Sequence, residues 1–423
     1  MNKRLFILMP ALCFSFHVFP QGSTLRPGNP INEKFSPERL QRIDGLIKRY
    51  VDSGWVVGAD AFIARNGKIV YNKSFGLADA DKKTPMQTDN IFRIASQTKA
   101  ITSVALMMLF EEGKFLLDDP VSKYIPSFAR PKVLAEFNPK DSSYTTITAT
   151  REITIRDLLT HTSGVDYAQI GSPKMKAIYA KNGLYAGFVY DKLRLADAIN
   201  KLGSLPLAHQ PGERFTYGLS IDVLGYLVEK LSGKSLDQFF RERIFQPLGM
   251  KDTYFYLPAA KYSRLVPVYT PGNQHMVKAD EKTFPGVNFD YPKTAGTYYS
   301  GGAGLSSTIL DYAVFLQMML NGGEYNGHRL LSRHTVEIMT MNQIGSLNVG
   351  KNKFGLGFEI YTKEGQAVLG ETEGSFSWGG FYGTIYWADP AEHMVCLLFV
   401  QEWPFPHGEL SDKFKVMVYS ALQ

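Results

Sequence analysis

The chain has 423 residues, of which 44% are hydrophobic, 20% charged and 13% aromatic. This composition predicts a globular protein with a large core and excludes a disordered or collagen-like chain. Forty-six basic and 40 acidic residues give a net charge of +6, but the excess is spread along the chain, so nucleic acid is not indicated as a partner. With only two cysteines, Cys13 and Cys396, a disulfide scaffold and a cysteine-rich metal protein are also excluded.

The first 21 residues have the pattern of a secretory signal peptide. Two basic residues precede the almost wholly apolar stretch 5–19, and the chain turns polar at Gln21. An N-terminal membrane anchor is the alternative, but the stretch is shorter than the roughly 20 residues of a spanning helix and contains Pro10. We therefore expect residues 1–21 to be a cleaved leader. The mature chain is then periplasmic or secreted, with no integral membrane segment.

The segment after the leader contains a predicted linker, a helix and a hairpin. Residues 22–35 are polar and contain Pro and Gly, which predicts a linker. Ser36-Pro37-Glu38 then supplies a cap, a first-turn proline and a first-turn acid, the signals that start a helix. Residues 61–71 follow as two predicted strands around Asn66-Gly67, the strongest two-residue hairpin signal.

The rest of the chain divides into a helical middle and a strand-rich end. Helical patterns occupy much of the region 96–341, at 100–110, 155–159, 219–231 and 310–320. Strand patterns then return at 355–361, 375–387 and 394–401, with predicted turns at 363–365 and 389–390 and a last helix at 410–422. Strands at both ends predict an α/β (α+β) fold, with one antiparallel sheet built from both chain ends and flanked by helices. We expect a sheet lobe from residues 36–95 and about 342–423, a helical lobe from about 96–341, and a cleft between them.

The first candidate for chemistry is Ser96-Gln97-Thr98-Lys99, at the start of a predicted helix. A capping box would have Glu or Gln at its last position, whereas Lys99 places a cation at the positive end of the helix dipole. Residues i and i+3 share a helix face, so the Lys99 amine can reach the Ser96 hydroxyl. Because burial and the helix N-terminus both disfavour protonated lysine, we expect a lowered Lys99 pKa and an amine that accepts the Ser96 proton.

Two further segments give this weak S-x-x-K motif its context. Tyr217 lies at a loop-to-helix junction, and Trp378-Gly379-Gly380 lies in a strand-like segment with glycines where a backbone or ligand must approach. Alone, a tyrosine of this kind is more often a packing residue, and Trp-Gly-Gly is more often a bulge. Together with S-x-x-K, and in this order, the motifs become specific.

At these residues the chain resembles the penicillin-recognising serine hydrolases, which include class C β-lactamases, D-alanyl-D-alanine peptidases and family VIII carboxylesterases. Further matching segments are 158–164, 246–253 and 300–308. The resemblance implies a serine β-lactamase-like fold for residues 36–423. It also implies Ser96 as nucleophile, Lys99 as its base, Tyr217 as proton shuttle, and an oxyanion hole from the backbone amides of Ser96 and Phe381. No metal or organic cofactor is implied.

Two departures from the family pattern bear on the substrate. The second motif is usually Tyr-x-Asn, and its third position is Leu219 here; the third motif is usually Lys-Thr-Gly or His-x-Gly, and here it is Trp378-Gly379-Gly380. These positions are expected to bind substrate. Loss of the lysine removes a charge that holds a substrate carboxylate, and loss of the asparagine removes an amide contact. The chain therefore resembles the esterases most, and we expect a small, uncharged acyl ester.

Alternatives remain on the sequence alone. A β-lactamase or a D-amino-acid peptidase or amidase would act on a lactam or a peptide-like substrate, and a non-catalytic penicillin-binding-like module is a further reading that the intact Ser96, Lys99 and Tyr217 disfavour. The G-x-S-x-G elbow of α/β-hydrolases is absent. His161 is interpreted as part of a structural turn, and no histidine spacing indicates zinc.

Overall fold

The computed structural model describes residues 24–184, 194–273, 275–280, 282 and 287–423. The predicted leader lies outside the described residues, so its removal stays a prediction. In the part of the chain that is described, no helix is both long enough and apolar enough to cross a bilayer.

Helices and strands alternate along the described chain. The helices are α1 Pro37–Asp52, α2 Thr98–Glu111, α3 Ile155–Leu159, α4 Pro173–Lys181, α5 Leu195–Gly203, α6 Ser220–Ser232, α7 Leu236–Phe240, α8 Gln246–Leu248, α9 Ile309–Leu320, α10 Arg333–Met339, α11 Lys363–Leu369 and α12 Glu409–Ser420. The strands are β1 Arg26–Pro27, β2 Gly58–Arg65, β3 Lys68–Asp79, β4 Thr84–Pro85, β5 Phe92–Arg93, β6 Lys132–Phe137, β7 Tyr144–Thr148, β8 Tyr269–Pro271, β9 Met276–Lys278, β10 Ser306–Ser307, β11 Glu324–Tyr325, β12 His328–Arg329, β13 Lys353–Phe354, β14 Glu359–Ile360, β15 Phe376–Gly379, β16 Ile385–Asp389 and β17 Met394–Phe399.

The main sheet joins the two ends of the chain. Among the described residues it has nine strands, in the order β1-β3-β2-β17-β16-β15-β14-β13, with β4 paired to β3. Its centre is the antiparallel pair β2–β17, in which Arg65 lies opposite Met394 and Asp60 opposite Phe399. The predicted fold class is confirmed, with one difference: β1 pairs with β3 in parallel.

Both faces of the sheet are covered, because its central strands are apolar on both sides. Phe62 of β2 faces a core shared with α2, α6 and α9, whereas its neighbour Ile63 faces α1 and α12. The predicted buried thiol, Cys396, lies on the second face and is fully buried. The β2–β3 turn has positive φ at Asn66 (53°) and Gly67 (72°), the conformation that a two-residue hairpin of this kind requires.

Some local predictions are wrong. The predicted strand at 375–387 is divided into β15 and β16. The described part of the predicted linker joins the edge of the sheet: it contributes β1, which pairs with β3, and Phe35 is fully buried. The predicted turn at 363–365 is instead the first turn of α11. The Thr362 hydroxyl oxygen accepts a hydrogen bond from the Gly365 amide at 3.1 Å and caps the helix. The stabilisation from this cap is larger than the cost of a glycine in the first turn.

Helix α2 lies at the centre of the helical lobe. Almost all of its residues are buried, so it has no solvent-facing stripe. A short 3₁₀ turn, Ala95–Gln97, leads from β5 into it. The S-x-x-K motif therefore lies at the junction between β5 and α2.

Candidate active site

Ser96 lies in the 3₁₀ turn between β5 and α2. Ala95 before it has φ 42°, a left-handed conformation that is strained for a residue with a Cβ. The residues on either side of Ser96 are buried, but Ser96 itself is half-buried and lines a cavity of about 400 Å³. A rigid, strained turn thus presents the Ser96 hydroxyl to a cavity.

Lys99 lies one helical turn further on, and only 2% of it is exposed. Its Nζ lies 3.3 Å from Ser96 Oγ, 3.3 Å from the Tyr167 hydroxyl and 2.8 Å from the Gly302 carbonyl oxygen. The i, i+3 spacing therefore brings the amine to the Ser96 hydroxyl, and two oxygens from other segments hold it there.

The expected lowering of the Lys99 pKa is wrong. Burial does act to lower it, but the hydroxyls of Tyr167 and Tyr217 and the Asp222 carboxylate outweigh burial, and the pKa of Lys99 lies above its ordinary value. At neutral pH the group next to Ser96 is therefore an ammonium that donates hydrogen bonds, because its partners stabilise the positive charge.

Asp222 of α6 supplies the negative charge near this ammonium. Its Oδ1 accepts hydrogen bonds from Ser300 Oγ at 2.6 Å and from the Gly302 amide at 3.3 Å. The carbonyl of the same Gly302 accepts from Lys99. A Cβ at Gly302 would lie 2.3 Å from Asp222 Oδ2, so only glycine allows this approach. The carboxylate thus holds the segment 300–302 that positions Lys99.

Tyr217 lies on the other side of Lys99. The Lys99 ammonium is 4.6 Å from the centroid of its ring. Trp378 Nε1 donates to the same Tyr217 oxygen at 3.3 Å, and the two rings are 5.3 Å apart. The structure therefore brings together Ser96, Lys99, Tyr217 and Trp378, which are far apart in the sequence.

The rest of the third motif lines the same cavity as Ser96, through Gly379, Gly380 and Phe381. A Cβ at Gly380 would lie 2.5 Å from the Ile94 carbonyl oxygen, so glycine is required where this strand end meets the Ser96 turn. The Phe381 ring stacks on Trp403 at 3.9 Å. The backbone segments that carry the Ser96 and Phe381 amides are thus packed closely together.

Two other residues considered from the sequence lie elsewhere. Leu219 is 2% exposed, packs in the helical core and is not among the residues that line the cavity. His161 is fully buried 4.9 Å from the Tyr217 ring, between Phe215 and Phe354. Burial holds the pKa of His161 well below its ordinary value, so its imidazole is neutral.

Sequence reasoning missed the roles of Tyr167 and Asp222 in this cluster. Tyr167 is 5% exposed; burial raises its pKa, which nearby Lys99 only partly offsets, so it remains a neutral phenol. No motif marks it in the sequence. Asp222 did leave a signal, since it is a lone acid within the apolar stretch of α6 and is fully buried.

Known proteins of similar sequence and structure indicate the family of this chain. The chain matches the Beta-lactamase family model over residues 43–417. Esterase EstB of Burkholderia gladioli is 30% identical over 387 residues, which cover 84% of this chain and 89% of EstB. An Escherichia coli (strain K12) protein with the provisional name D-alanyl-D-alanine carboxypeptidase is 29% identical over 416 residues, 92% of this chain and 88% of that protein. The solved structure of EstCE1, a hydrolase with promiscuous acyltransferase activity, is 26% identical, with a TM-score of 0.79 over 92% of this chain and 100% of EstCE1.

A mixed sheet covered by helices on both faces, together with this family match, defines a serine hydrolase of the β-lactamase fold. The family match spans most of the chain, and the chain belongs to the β-lactamase family.

Proposed function

We propose that the protein hydrolyses small carboxylic esters through an acyl-enzyme intermediate on Ser96. The observation that carries this proposal is the presence of Trp378 at the start of the third motif. It stands where lactam- and peptide-cleaving relatives have a cation for the substrate carboxylate, and its indole N–H is bound to Tyr217. The similarity to EstB and EstCE1 supports the same choice.

In the acylation step, Ser96 Oγ attacks the ester carbonyl carbon, and its proton passes to the Tyr217 oxygen while Tyr217 gives its own hydroxyl proton to the alcohol oxygen of the ester. This differs from the sequence expectation, in which Lys99 is the acceptor. The change follows from the charge on Lys99: its ammonium lies over the Tyr217 ring, and Trp378 Nε1 donates to the Tyr217 oxygen. The carbon–oxygen bond to the alcohol then breaks, and the alcohol leaves with the proton from Tyr217.

The backbone amides of Ser96 and Phe381 would hold the carbonyl oxygen while it carries negative charge. Removing one such donor typically costs about 3 kcal/mol of transition-state stabilisation. In the second half of the reaction, water attacks the acyl carbon, and Tyr217 takes a proton from the water while it gives its own hydroxyl proton to Ser96 Oγ, which releases the acid. With water as the second reactant, atoms and charge balance.

The cavity next to Ser96 suits an uncharged acyl group, because the two charged side chains that also line it, Glu359 and Lys415, are bound to Asn352 and to Glu371. Ile170, Trp378, Phe381 and Ile385 contribute apolar surface to it. Burial of an acyl chain against such surface gains about 25 cal/mol per Å². A volume of about 400 Å³ suits a small acyl chain rather than a polymer segment.

The test is hydrolysis of p-nitrophenyl acetate and butyrate by the protein and by Ser96→Ala. We expect the variant to lose at least 1,000-fold in kcat/KM, and equal rates for the two proteins would contradict the proposal. Nitrocefin and a D-Ala-D-Ala peptide are compared alongside, and faster turnover of either than of the esters would reverse the choice of substrate. Mass spectrometry after a fluorophosphonate should place one adduct on Ser96.

We also propose that the protein is exported, with residues 1–21 as the leader. The observation is the basic start followed by the apolar stretch 5–19. Expression of the whole chain in a Gram-negative host, fractionation and N-terminal sequencing test this. A mature protein in the periplasm that begins near residue 22 is expected, and an intact Met1 in the cytoplasm would contradict it.

A further inference from the structure

A second cavity, of about 550 Å³, adjoins the one that Ser96 lines. The two cavities share Ile170 and Tyr217. The second is formed by residues of β6, by the first turn of α4 and by the segment 214–217. A substrate bound at Ser96 can therefore extend past Tyr217 into this second space.

The charged residues that line the second cavity are Asp166, Lys174 and Arg214. Asp166 is 4% exposed, and its carboxylate is engaged within its own loop. It accepts from the Tyr167 amide at 2.7 Å, from the Ser172 amide at 3.0 Å and from Ser172 Oγ at 2.7 Å. Its negative charge is thus used to hold the loop 166–172 and is largely hidden from a ligand.

The two cations are not neutralised in this way. Lys174 and Arg214 are both exposed, and within the described residues neither has a carboxylate within the 4.0 Å of an ion pair. Arg214 Nη2 makes one long hydrogen bond, 3.4 Å, to the Ala208 carbonyl. The neighbouring Glu213 carboxylate instead accepts the Gln210 amide at 3.0 Å. The free charge at this cavity is therefore positive.

We propose that this cavity is a carboxylate-binding subsite, in which Arg214 and Lys174 hold an anionic group carried by the substrate. The proposal rests on the proposed esterase function and refines its substrate class: an ester whose acyl carbon meets uncharged surface beside Trp378 and whose far end carries a carboxylate. A guanidinium binds a carboxylate through two parallel hydrogen bonds, and a nearby ammonium adds a point charge. The third motif has no cation in this chain. In the proposed subsite, Arg214 and Lys174 supply positive charge from a different side of the site.

Two matched pairs of esters test the subsite. The first pair, 4-acetoxybenzoate and its methyl ester, carries or lacks a carboxylate on the alcohol side. The second pair, phenyl hydrogen adipate and methyl phenyl adipate, carries or lacks it on the acyl side. For each pair the ratio of kcat/KM, acid over neutral ester, is measured at low ionic strength. The pair with the higher ratio shows which side of the ester enters the cavity.

We expect Arg214→Gln to lower one of the two ratios about tenfold and Lys174→Gln to lower it by a smaller factor. Hydrogen bonds to charged groups are strong enough to account for a tenfold change. The matched control is Lys176→Gln. Lys176 is exposed on the same helix as Lys174 but does not line the cavity, so its variant should keep the parent ratios. Raising the salt concentration should lower the ratio in the parent protein.

Failure of the subsite and failure of the esterase are distinguishable. If the neutral esters are hydrolysed but both ratios are the same in the parent and in Arg214→Gln, the subsite is wrong and the esterase stands. If no ester is hydrolysed, calorimetric titration with 4-hydroxybenzoate and with adipate tests the subsite directly. Weaker binding to Arg214→Gln than to Lys176→Gln supports it, and equal affinities for both ligands overturn it.

Discussion

Among the described residues, Lys99 is buried and Lys415 is mostly buried, each beside tyrosine hydroxyls and a carboxylate. Lys99 contacts Tyr167 and lies near Asp222; Lys415 of α12 contacts the Tyr361 hydroxyl at 3.1 Å and the Glu371 carboxylate at 2.7 Å. In both, burial acts to lower the pKa and the neighbouring tyrosines and acid more than offset it, so both lysines are ammonium groups.

The difference between the two lies in where the negative charge is placed. Glu371 touches Lys415 directly and is itself fully buried, so that ammonium is committed to an ion pair. Asp222 acts on Lys99 across Gly302, which leaves the Lys99 N–H groups free to reach Ser96 and the tyrosines. The Asp222 carboxylate therefore stabilises the Lys99 charge without occupying its N–H groups, whereas the Glu371 carboxylate binds the Lys415 ammonium directly.

The largest expected effect comes from removing each ammonium in turn. Lys99→Met should lower kcat/KM for p-nitrophenyl butyrate by about 1,000-fold, because the charge that stabilises the Tyr217 oxygen is lost. Lys415→Met should lower it less than tenfold: Lys415 lines the same cavity, but its ammonium is paired with Glu371 and not with the Ser96 hydroxyl. Losses of similar size in the two variants, both shown to be folded by circular dichroism, would break the comparison.

Removing the direct counter-charge should mainly affect stability. Glu371→Gln leaves Lys415 buried without its carboxylate and should lower the free energy of unfolding by about 3 kcal/mol. Urea denaturation measures this. The control is Glu38→Gln, which removes one partner of the exposed pair with Arg42 and should change stability by less than about 1 kcal/mol. A cost for Glu371→Gln as small as that of the control would contradict the role given to the buried pair.

Removing the indirect counter-charge should instead change the pH profile of catalysis. The Asp222 carboxylate raises the pKa of Lys99, so Asp222→Asn should lower that pKa. If protonated Lys99 is the active form, the alkaline limb of kcat/KM moves to lower pH by about one unit. Glu371→Gln should leave that limb in place. A gain of activity at neutral pH in Asp222→Asn would show that neutral Lys99 is the base after all.

The smallest effects are expected from the two tyrosines. Tyr361→Phe and Tyr167→Phe each remove one hydrogen bond to an ammonium and should each lower the free energy of unfolding by about 1 kcal/mol. Only Tyr167→Phe should also lower kcat/KM, by about fivefold, because Lys99 loses one of the groups that position it. Equal effects of the two substitutions on kcat/KM would remove the distinction between the sites.

Much of the fold follows from local sequence signals. The Ser36 cap starts α1, Asn66-Gly67 makes the β2–β3 turn, and the strand patterns at both ends meet in one sheet. The wrong predictions concern short segments in which two local signals compete or the segment is too short to show a pattern. A two-residue strand has too few residues to show a period, so β1 was hidden, and the Thr362 cap outweighed the glycine that suggested a turn.

The site was predictable in its members but not in its charge state. Motif spacing brings out Ser96, Lys99, Tyr217 and the third motif. The Lys99 pKa, however, depends on Tyr167, 68 residues away in sequence, and on a carboxylate from α6. Burial considered alone predicts a lowered pKa for Lys99, whereas the pKa is raised. Only three-dimensional contacts decide which of the opposing effects is larger.

The pairing of β2 with β17 also has a consequence for how the chain folds. Arg65 binds the backbone of Glu392, 327 residues later, so the centre of the sheet cannot close until nearly the whole polypeptide has been synthesised. The chain ends already meet, since the Ser36 amide donates to the Ala421 carbonyl at 2.8 Å. A circular permutant with a linker from Gln423 to Thr24 and new termini in the exposed β6–β7 turn, between Lys140 and Asp141, would make that pairing local. It should refold faster than the parent while keeping the same cleft.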